Sequence, residues 1–254
     1  ILNNLISHNY RARIYPVNPN SEKIQGLTAY TSVLSIPEAI DVAIIAIPSL
    51  FVEDAVEECG QKGIKNVIIL SAGYSESGKE GLQRELRLKQ IIQKYQINLL
   101  GPNCLGLINA RKNLNLSFAD SPTSFSKGKV SFISQSGAIG TAFLDWSRTN
   151  NLEISKFVSL GNKLGLNEID FIKYFYDDPE TKVILLYLEN FSDGRKFFEL
   201  AKLVTKTKPI IVLKPGKNES TVKAMSAHTG SLASNEKVVD VALTDSGCIR
   251  VDSI

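Results

Sequence analysis

The stretch VSFISQSGAIG, residues 130–140, decides how this chain is read. Val130, Phe132 and Ile133 make an apolar strand-like run, Ser134-Gln135-Ser136-Gly137 makes a tight turn, and from Ala138 to position 149 the apolar residues recur at helical spacing. Strand, turn and helix in immediate succession form the opening half of a βαβ unit. Working outward, the same alternation repeats downstream. Strands are expected at 156–159, 183–188, 210–213 and 248–251, and helices at 138–149, 167–176, 194–206 and 235–245. Five strands separated by four helices predict a doubly wound, flavodoxin-like parallel sheet. Upstream, strands are expected at 13–17, 42–47, 66–70 and 98–100, with helical segments at 1–9, 35–40, 50–60 (Gly60 near its C-cap) and 81–96. Such short, wholly apolar strands fit a parallel sheet covered on both faces. Between 110 and 128 Asn, Ser, Pro and Lys accumulate and the apolar periodicity fades, so the chain divides into residues 1–124 and 125–254.

Composition narrows the function classes. Of 254 residues, 43% are hydrophobic and 22% charged, as in a globular protein with a proper core. The 29 basic and 26 acidic residues give a net charge of only +3, without a long basic block. Neither a nucleic-acid partner nor a membrane surface is expected from that balance. Cys59, Cys104 and Cys248 are far apart and form no CxxC or Cys/His cluster, so a metal site is not expected and reduced thiols point to a cytoplasmic setting. Apolar runs such as 42–47 are too short to span a bilayer. The opening ILNNLISHNYRAR lacks the pattern of a signal peptide and reads as mid-helix, as if the chain began inside a domain.

Three features carry candidate chemistry. The first is the turn 134–137, where the amides and positive end of the following helix make an anion site at Ser136 and Gly137. It has neither the GxxxxGK[ST] of a P-loop nor the glycine of a hydrolase nucleophile elbow, and plain helix capping by Ser134 or Ser136 is the competing reading. The second is Glu189, a carboxylate closing the apolar strand LLYLEN, where a charge needs either a partner or solvent. The third is His228 in KAMSAHTGSLAS, 223–234, one of two histidines, set among small and hydroxyl residues including Gly230. A carboxylate on one ring nitrogen would fix the tautomer and leave the other nitrogen as nucleophile, which suggests phosphoryl transfer through phosphohistidine. His8, beside Asn9 and Tyr10, reads as a surface residue. Hydride transfer is disfavoured, because the first strand ends in Asn18-Pro19 without GxGxxG or an acidic ribose partner.

Nine motifs in order, YPVNP (15–19), AIP (46–48), SAGYSE (71–76), GPNCLGLIN (101–109), ISQSGAIG (133–140), FVSLGN (157–162), DDPETKVILLYLEN (177–190), KPIIVLKPGK (208–217) and SAHTGSLAS (226–234), cover nearly the whole chain. Together they resemble the α part of the ADP-forming acyl-CoA synthetases, relatives of the succinyl-CoA synthetase α subunit. The resemblance implies a Rossmann-like CoA-binding domain, here starting short of the family's opening strand and glycine-rich loop, followed by a flavodoxin-type ligase domain. It implies conversion of acyl-CoA, ADP and phosphate into carboxylic acid, ATP and CoA. His228 would be phosphorylated, Glu189 would be its partner, and Ser136, Gly137 and Gly230 would hold phosphate. Val17, Asn18, Pro19, Ile47, Pro48, Ser71, Ala72, Gly73 and Asn103 would contact CoA. Cys104 sits near the expected thioester, but the family mechanism does not use it. ADP or ATP with Mg2+ would sit on an ATP-grasp domain or β subunit, in an oligomer. Asn20 and Asn190 stand where the family usually has lysine and glycine, and Leu164-Gly165 replaces a usual acidic stretch. A second class, the CoA-sensing module of protein lysine acetyltransferases, often lacks the histidine, so SAHTGSLAS favours the enzyme.

Overall fold

The computed structural model describes residues 1–119, 128–215 and 236–253. Helix α1 (Leu2–Ser7) is followed by a small antiparallel pair, β1 (Lys23–Ile24) and β2 (Leu27–Thr28), turned through Gln25 and Gly26 with φ of 51° and 81°. A βαβαβ run then follows: β3 (Ala43–Ile45), α2 (Val52–Lys62), β4 (Asn66–Ile69), α3 (Lys79–Tyr95) and β5 (Asn98–Leu100). These three strands pair in parallel in the order β3-β4-β5. Val52, Val56 and Cys59 of α2 and Leu88 and Ile92 of α3 bury their apolar faces with Val67, Ile69 and Leu99.

Three local expectations are corrected. Residues 13–17 form no strand: only Val17 bridges to Tyr30, because Pro16 has no N–H to donate and serves only as acceptor for the Tyr30 amide. The helical piece placed at 35–40 is a single 3-10 turn, Val33–Ser35; Ile36 before Pro37 is driven to an extended ψ of 123°, which ends it. Helix α2 ends at Gly63, with φ of 85° and amides capping the helix end, and not at Gly60. Gly60 lies inside the helix, packed so closely on α3 that a Cβ there would stand 2.3 Å from the Tyr95 ring.

After β5 comes an antiparallel pair that periodicity did not reveal, β6 (Gly106–Asn109) and β7 (Leu114–Ser117). The rest matches the expected alternation: β8 (Val130–Ser134), α4 (Gly137–Thr149), β9 (Ile154–Ser159), α5 (Glu168–Asp177), β10 (Val183–Tyr187), α6 (Gly194–Val204), β11 (Ile210–Leu213), α7 (Glu236–Asp245) and β12 (Ile249–Val251). The seven-stranded sheet has the order β12-β11-β10-β8-β9-β6-β7. Its five parallel strands follow the 2-1-3-4-5 order of flavodoxin-like sheets, and β6 adds antiparallel to β9 at the edge. The chain therefore joins the second sheet at Gly106, upstream of the 124/125 division expected from composition. Ile133, Val158 and Ile184 of this sheet share one buried cluster with Ile68 and Leu100 of the three-stranded sheet, so a continuous apolar core holds the sheets together.

Candidate active site between the two sheets

In the 2-1-3-4-5 order, β8 and β10 are neighbours whose connecting helices leave toward opposite faces, and a crevice opens beyond their carboxyl ends. The turn after β8 carries Gln135, Ser136 and Gly137, and the turn after β10 carries Glu189 and Asn190. Gln135 joins the two: its Oε1 accepts from the Glu189 amide at 3.0 Å and from the Asn190 amide at 3.2 Å. Ser136 is the N-cap of α4, its Oγ accepting from the Ile139 amide at 3.3 Å, while Ser134 Oγ donates to the Ser136 carbonyl at 2.6 Å. The capping assignment thus goes to Ser136. Capping leaves the first-turn amides of Gly137 and Ala138 without intrahelical acceptors and aimed, with the positive end of the helix, at the crevice.

From the other side come the loops that follow β4 and β5. Ser71 Oγ donates to the Ile47 carbonyl at 2.5 Å, and the Asn103 amide donates to the Ser71 carbonyl at 3.0 Å, which ties the three strand ends into one rim. Gly73 has a φ of 105° and its amide donates to Glu76 Oε1 at 2.6 Å. The two rims enclose a cavity of about 490 Å³. Ala72 and Asn103 line it from the first unit, and Ser136, Gly137 and Glu189 from the second. Ser71, Ile47 and Gly73 stand on the rim by the hydrogen bonds above. Pro48 and the Val17–Asn18–Pro19 loop lie outside the cavity wall, the latter bonded to Tyr30. His228 and Gly230 lie outside the described residues.

Residues that the sequence reading passed over complete the wall. Asn162, the last residue of FVSLGN, donates through Nδ2 to Glu76 Oε2 at 2.6 Å and Glu85 Oε2 at 2.9 Å, and its Oδ1 accepts from Asn103 Nδ2 at 3.2 Å. Burial works against charge on Glu76, but the Asn162 side chain and the Tyr74 and Gly73 amides outweigh it and hold this carboxyl below its usual range. Close approach at this joint requires Gly161: its φ is 60°, and a Cβ would stand 2.2 Å from the Pro102 carbonyl oxygen. Lys163, whose Nζ also donates to the Asn190 carbonyl, forms a buried ion pair with Glu168 at 3.1 Å. Both lay in quoted or adjacent sequence, but polar residues in a loop carry no periodicity that reveals a tertiary partner.

Cys104 also lines the cavity, yet it is 3% exposed and burial pushes its thiol up to about 12, so it is not poised as a nucleophile. Among the described residues no cluster of His, Cys, Asp and Glu could hold a metal ion, and no helix is long and apolar enough to cross a membrane.

A helix terminus and a buried carboxylate at the switch point of a flavodoxin-type sheet, faced by the strand ends of a second parallel unit, define the class. Residues 127–254 match the succinyl-CoA ligase like flavodoxin domain and residues 1–110 match a CoA binding domain; the chain belongs to this succinyl-CoA-ligase-like family. Within it, the chain is 45% identical over its whole length to the ADP-forming acetate–CoA ligase I of Archaeoglobus fulgidus, covering 36% of that protein. It is 43% identical over its whole length to the α subunit of ADP-forming acetate–CoA ligase I of Pyrococcus furiosus, covering 55% of it. Among solved structures it superposes on the dinucleotide forming acetyl-coenzyme A synthetase 1 of Ca. Korarchaeum cryptofilum, in complex with phosphate and ADP. There the TM-score is 0.94 and the identity 36%, over 100% of this chain and 54% of that one. The resemblance to the α part of ADP-forming acyl-CoA synthetases therefore holds, and the chain spans from about a third to just over half the length of these relatives.

Proposed function

We propose that the chain is the CoA-binding and phosphohistidine part of an ADP-forming acyl-CoA synthetase, an acid–thiol ligase. One observation carries the reading: Ala72 and Asn103 from the CoA-binding unit share a cavity with Glu189 and the Ser136–Gly137 helix terminus. CoA enters along the rim formed by the ends of β3, β4 and β5, which brings its thioester to the cavity. Inorganic phosphate, held by the Gly137 and Ala138 amides, attacks the thioester carbonyl; the C–O bond forms, the C–S bond breaks, and the CoA thiolate leaves. A nitrogen of His228 then attacks phosphorus, and the bond from phosphorus to the acyl oxygen breaks to release the carboxylate. Glu189 takes a hydrogen bond from the other ring nitrogen and stabilises the imidazolium character of the phosphorylated ring. The enzyme's contribution is mainly placement and fixed positive dipoles opposite the phosphoryl oxygens. ADP and Mg2+ belong to an ATP-grasp domain or β subunit to which phospho-His228 is presented, and the whole works as an oligomer in the cytoplasm.

The test mixes the chain with an ATP-grasp partner, Mg2+ and ATP and maps phosphate by mass spectrometry. An acid-labile, base-stable label on His228, lost in His228→Ala and weakened in Glu189→Gln, is expected. A folded wild-type chain that stays unlabelled with a competent partner rules the reading out.

A further inference from the structure

The loop 160–166 is fastened along the first unit: the Asn162, Leu164 and Leu166 amides donate to the carbonyls of Pro102, Gly101 and Leu99 at 2.9, 3.1 and 2.8 Å. Within it Lys163 has a left-handed φ of 59° and a side chain only 5% exposed. A non-glycine residue in that conformation and a buried ammonium are both costly, and they persist only where the surroundings over-determine them. The surroundings here lead to the turn after β10. Lys163 Nζ donates to the Asn190 carbonyl at 2.9 Å and to Glu168 Oε2 at 3.1 Å. Glu168 is fully buried, and it accepts from the Ser192 amide at 2.5 Å and from Ser192 Oγ at 2.9 Å. The pair thus grips the turn on both sides of Phe191, directly after Glu189.

The turn that the pair grips borders the cavity. The described cavity wall carries Glu76 and Glu189 and no Lys, Arg or His. Of the described groups, the first-turn amides of α4 are the ones that face an anion there, and the turn after β10 sets how close Glu189 comes to them. Lys163 reaches that turn through the Asn190 carbonyl; burial lowers its pKa, while Glu168 and then Glu189 push it back up.

We propose that Lys163 is a positioning residue of the phosphoryl site: with Glu168 it fixes the 189–192 turn, and so the place of Glu189 beside the helix terminus that receives the anion. This rests on the reading above for the identity of the anion.

The experiment uses the full-length protein with its ATP-grasp partner and the double substitution Lys163→Met with Glu168→Gln, which removes both charges and leaves neither partner stranded. Phosphate affinity is read by 31P line width on titrating inorganic phosphate, and KM is measured for phosphate and for CoA. The double variant is expected to raise the phosphate Kd and KM about tenfold, as loss of a supporting shell does, with the KM for CoA unchanged. A purely structural role would move both KM values together, and that result overturns the proposal. So does a wild-type chain that binds no phosphate. Should the double variant unfold, the 15Nζ resonance of Lys163 in the folded wild type must move on adding phosphate, and a static resonance overturns the proposal equally. Lys163-dependent phosphate binding without any label on His228 would refute the synthetase reading and keep this one. A label on His228 with unchanged phosphate affinity in the double variant would do the reverse.

Discussion

Gln135 and Glu189 are bound across the switch point: the side-chain oxygen of the first accepts the backbone amide of the second at 3.0 Å, and that of Asn190 at 3.2 Å. This side-chain amide ties the helix terminus to the carboxylate's turn from the β8 side, as Lys163 and Glu168 hold it from the other. In Gln135→Ala two amides beside a buried residue lose their acceptor, which costs about 1–3 kcal/mol. Denaturant unfolding should register that loss, and His228 labelling should fall roughly tenfold as the turn drifts. Full labelling in a variant that keeps its fold would show that Gln135 does not set the geometry.

The joint between the units depends on Gly161. In Gly161→Ala the new methyl meets the Pro102 oxygen at 2.2 Å, in a φ of 60° that alanine disfavours, so the two loops must separate. Loss of about 1–3 kcal/mol is expected from strain of this kind, together with weaker CoA binding by calorimetry.

Asn162 should control the titration of Glu76. A depressed folded-state pKa means that Glu76 stabilises the fold above its unfolded pKa and loses that contribution as pH falls through the lower folded value. In Asn162→Ala the Glu76 pKa should rise, and the acid limb of the stability profile should shift to higher pH. Side-chain 13C titration of Glu76 measures this directly; an unchanged midpoint would mean that the Tyr74 and Gly73 amides suffice.

At the opposite end of the sheet, Lys156 Nζ lies 2.5 Å from Asp178 Oδ2, with side chains 7% and 11% exposed. Burial opposes charge on Asp178, but Lys156 and Thr181 hold its carboxyl below the usual range. Removing one partner of such a pair costs about 3–5 kcal/mol, so Asp178→Asn should lower the melting temperature sharply. Because this pair is remote from the cavity, the folded variant should still label His228 at the wild-type rate. A parallel loss of labelling would tie that end of the sheet to the chemistry.

The thiols supply a negative test. Burial pushes Cys104 up to about 12 and Cys59 to about 11, and Cys248 is raised as well. Native protein at neutral pH should therefore resist alkylation at all three, and Cys104→Ala should still phosphorylate His228. Rapid modification of Cys104 would reopen a role for it beside the thioester.

The flavodoxin-type half was legible because its strands are short apolar runs and its helices amphipathic, both signals that survive in one dimension. The turn after Phe132-Ile133 and the carboxylate after LLYL were readable for the same reason, since strand ends mark the crevice. Residues 13–17 misled because an apolar run interrupted by Pro16 has the composition of a strand without the donors for a ladder. The β6–β7 pair escaped because Asn109 and Asn115 interrupt the apolar pattern, although Asn115 is fully buried with its Oδ1 accepting from Ser117. Lys163, Glu168 and Asn162 have no local signature, since their partners lie 5 to 87 positions away and only the fold brings them together.

The central claim is that the phosphoryl group of His228 rests against the start of α4 beside Glu189. Amide 1H–15N spectra recorded before and after phosphorylation of the chain by its partner test it most directly. The Gly137 and Ala138 amides should move strongly downfield while the Asp178 region stays still. A label confirmed on His228 with both amides unmoved would contradict the account.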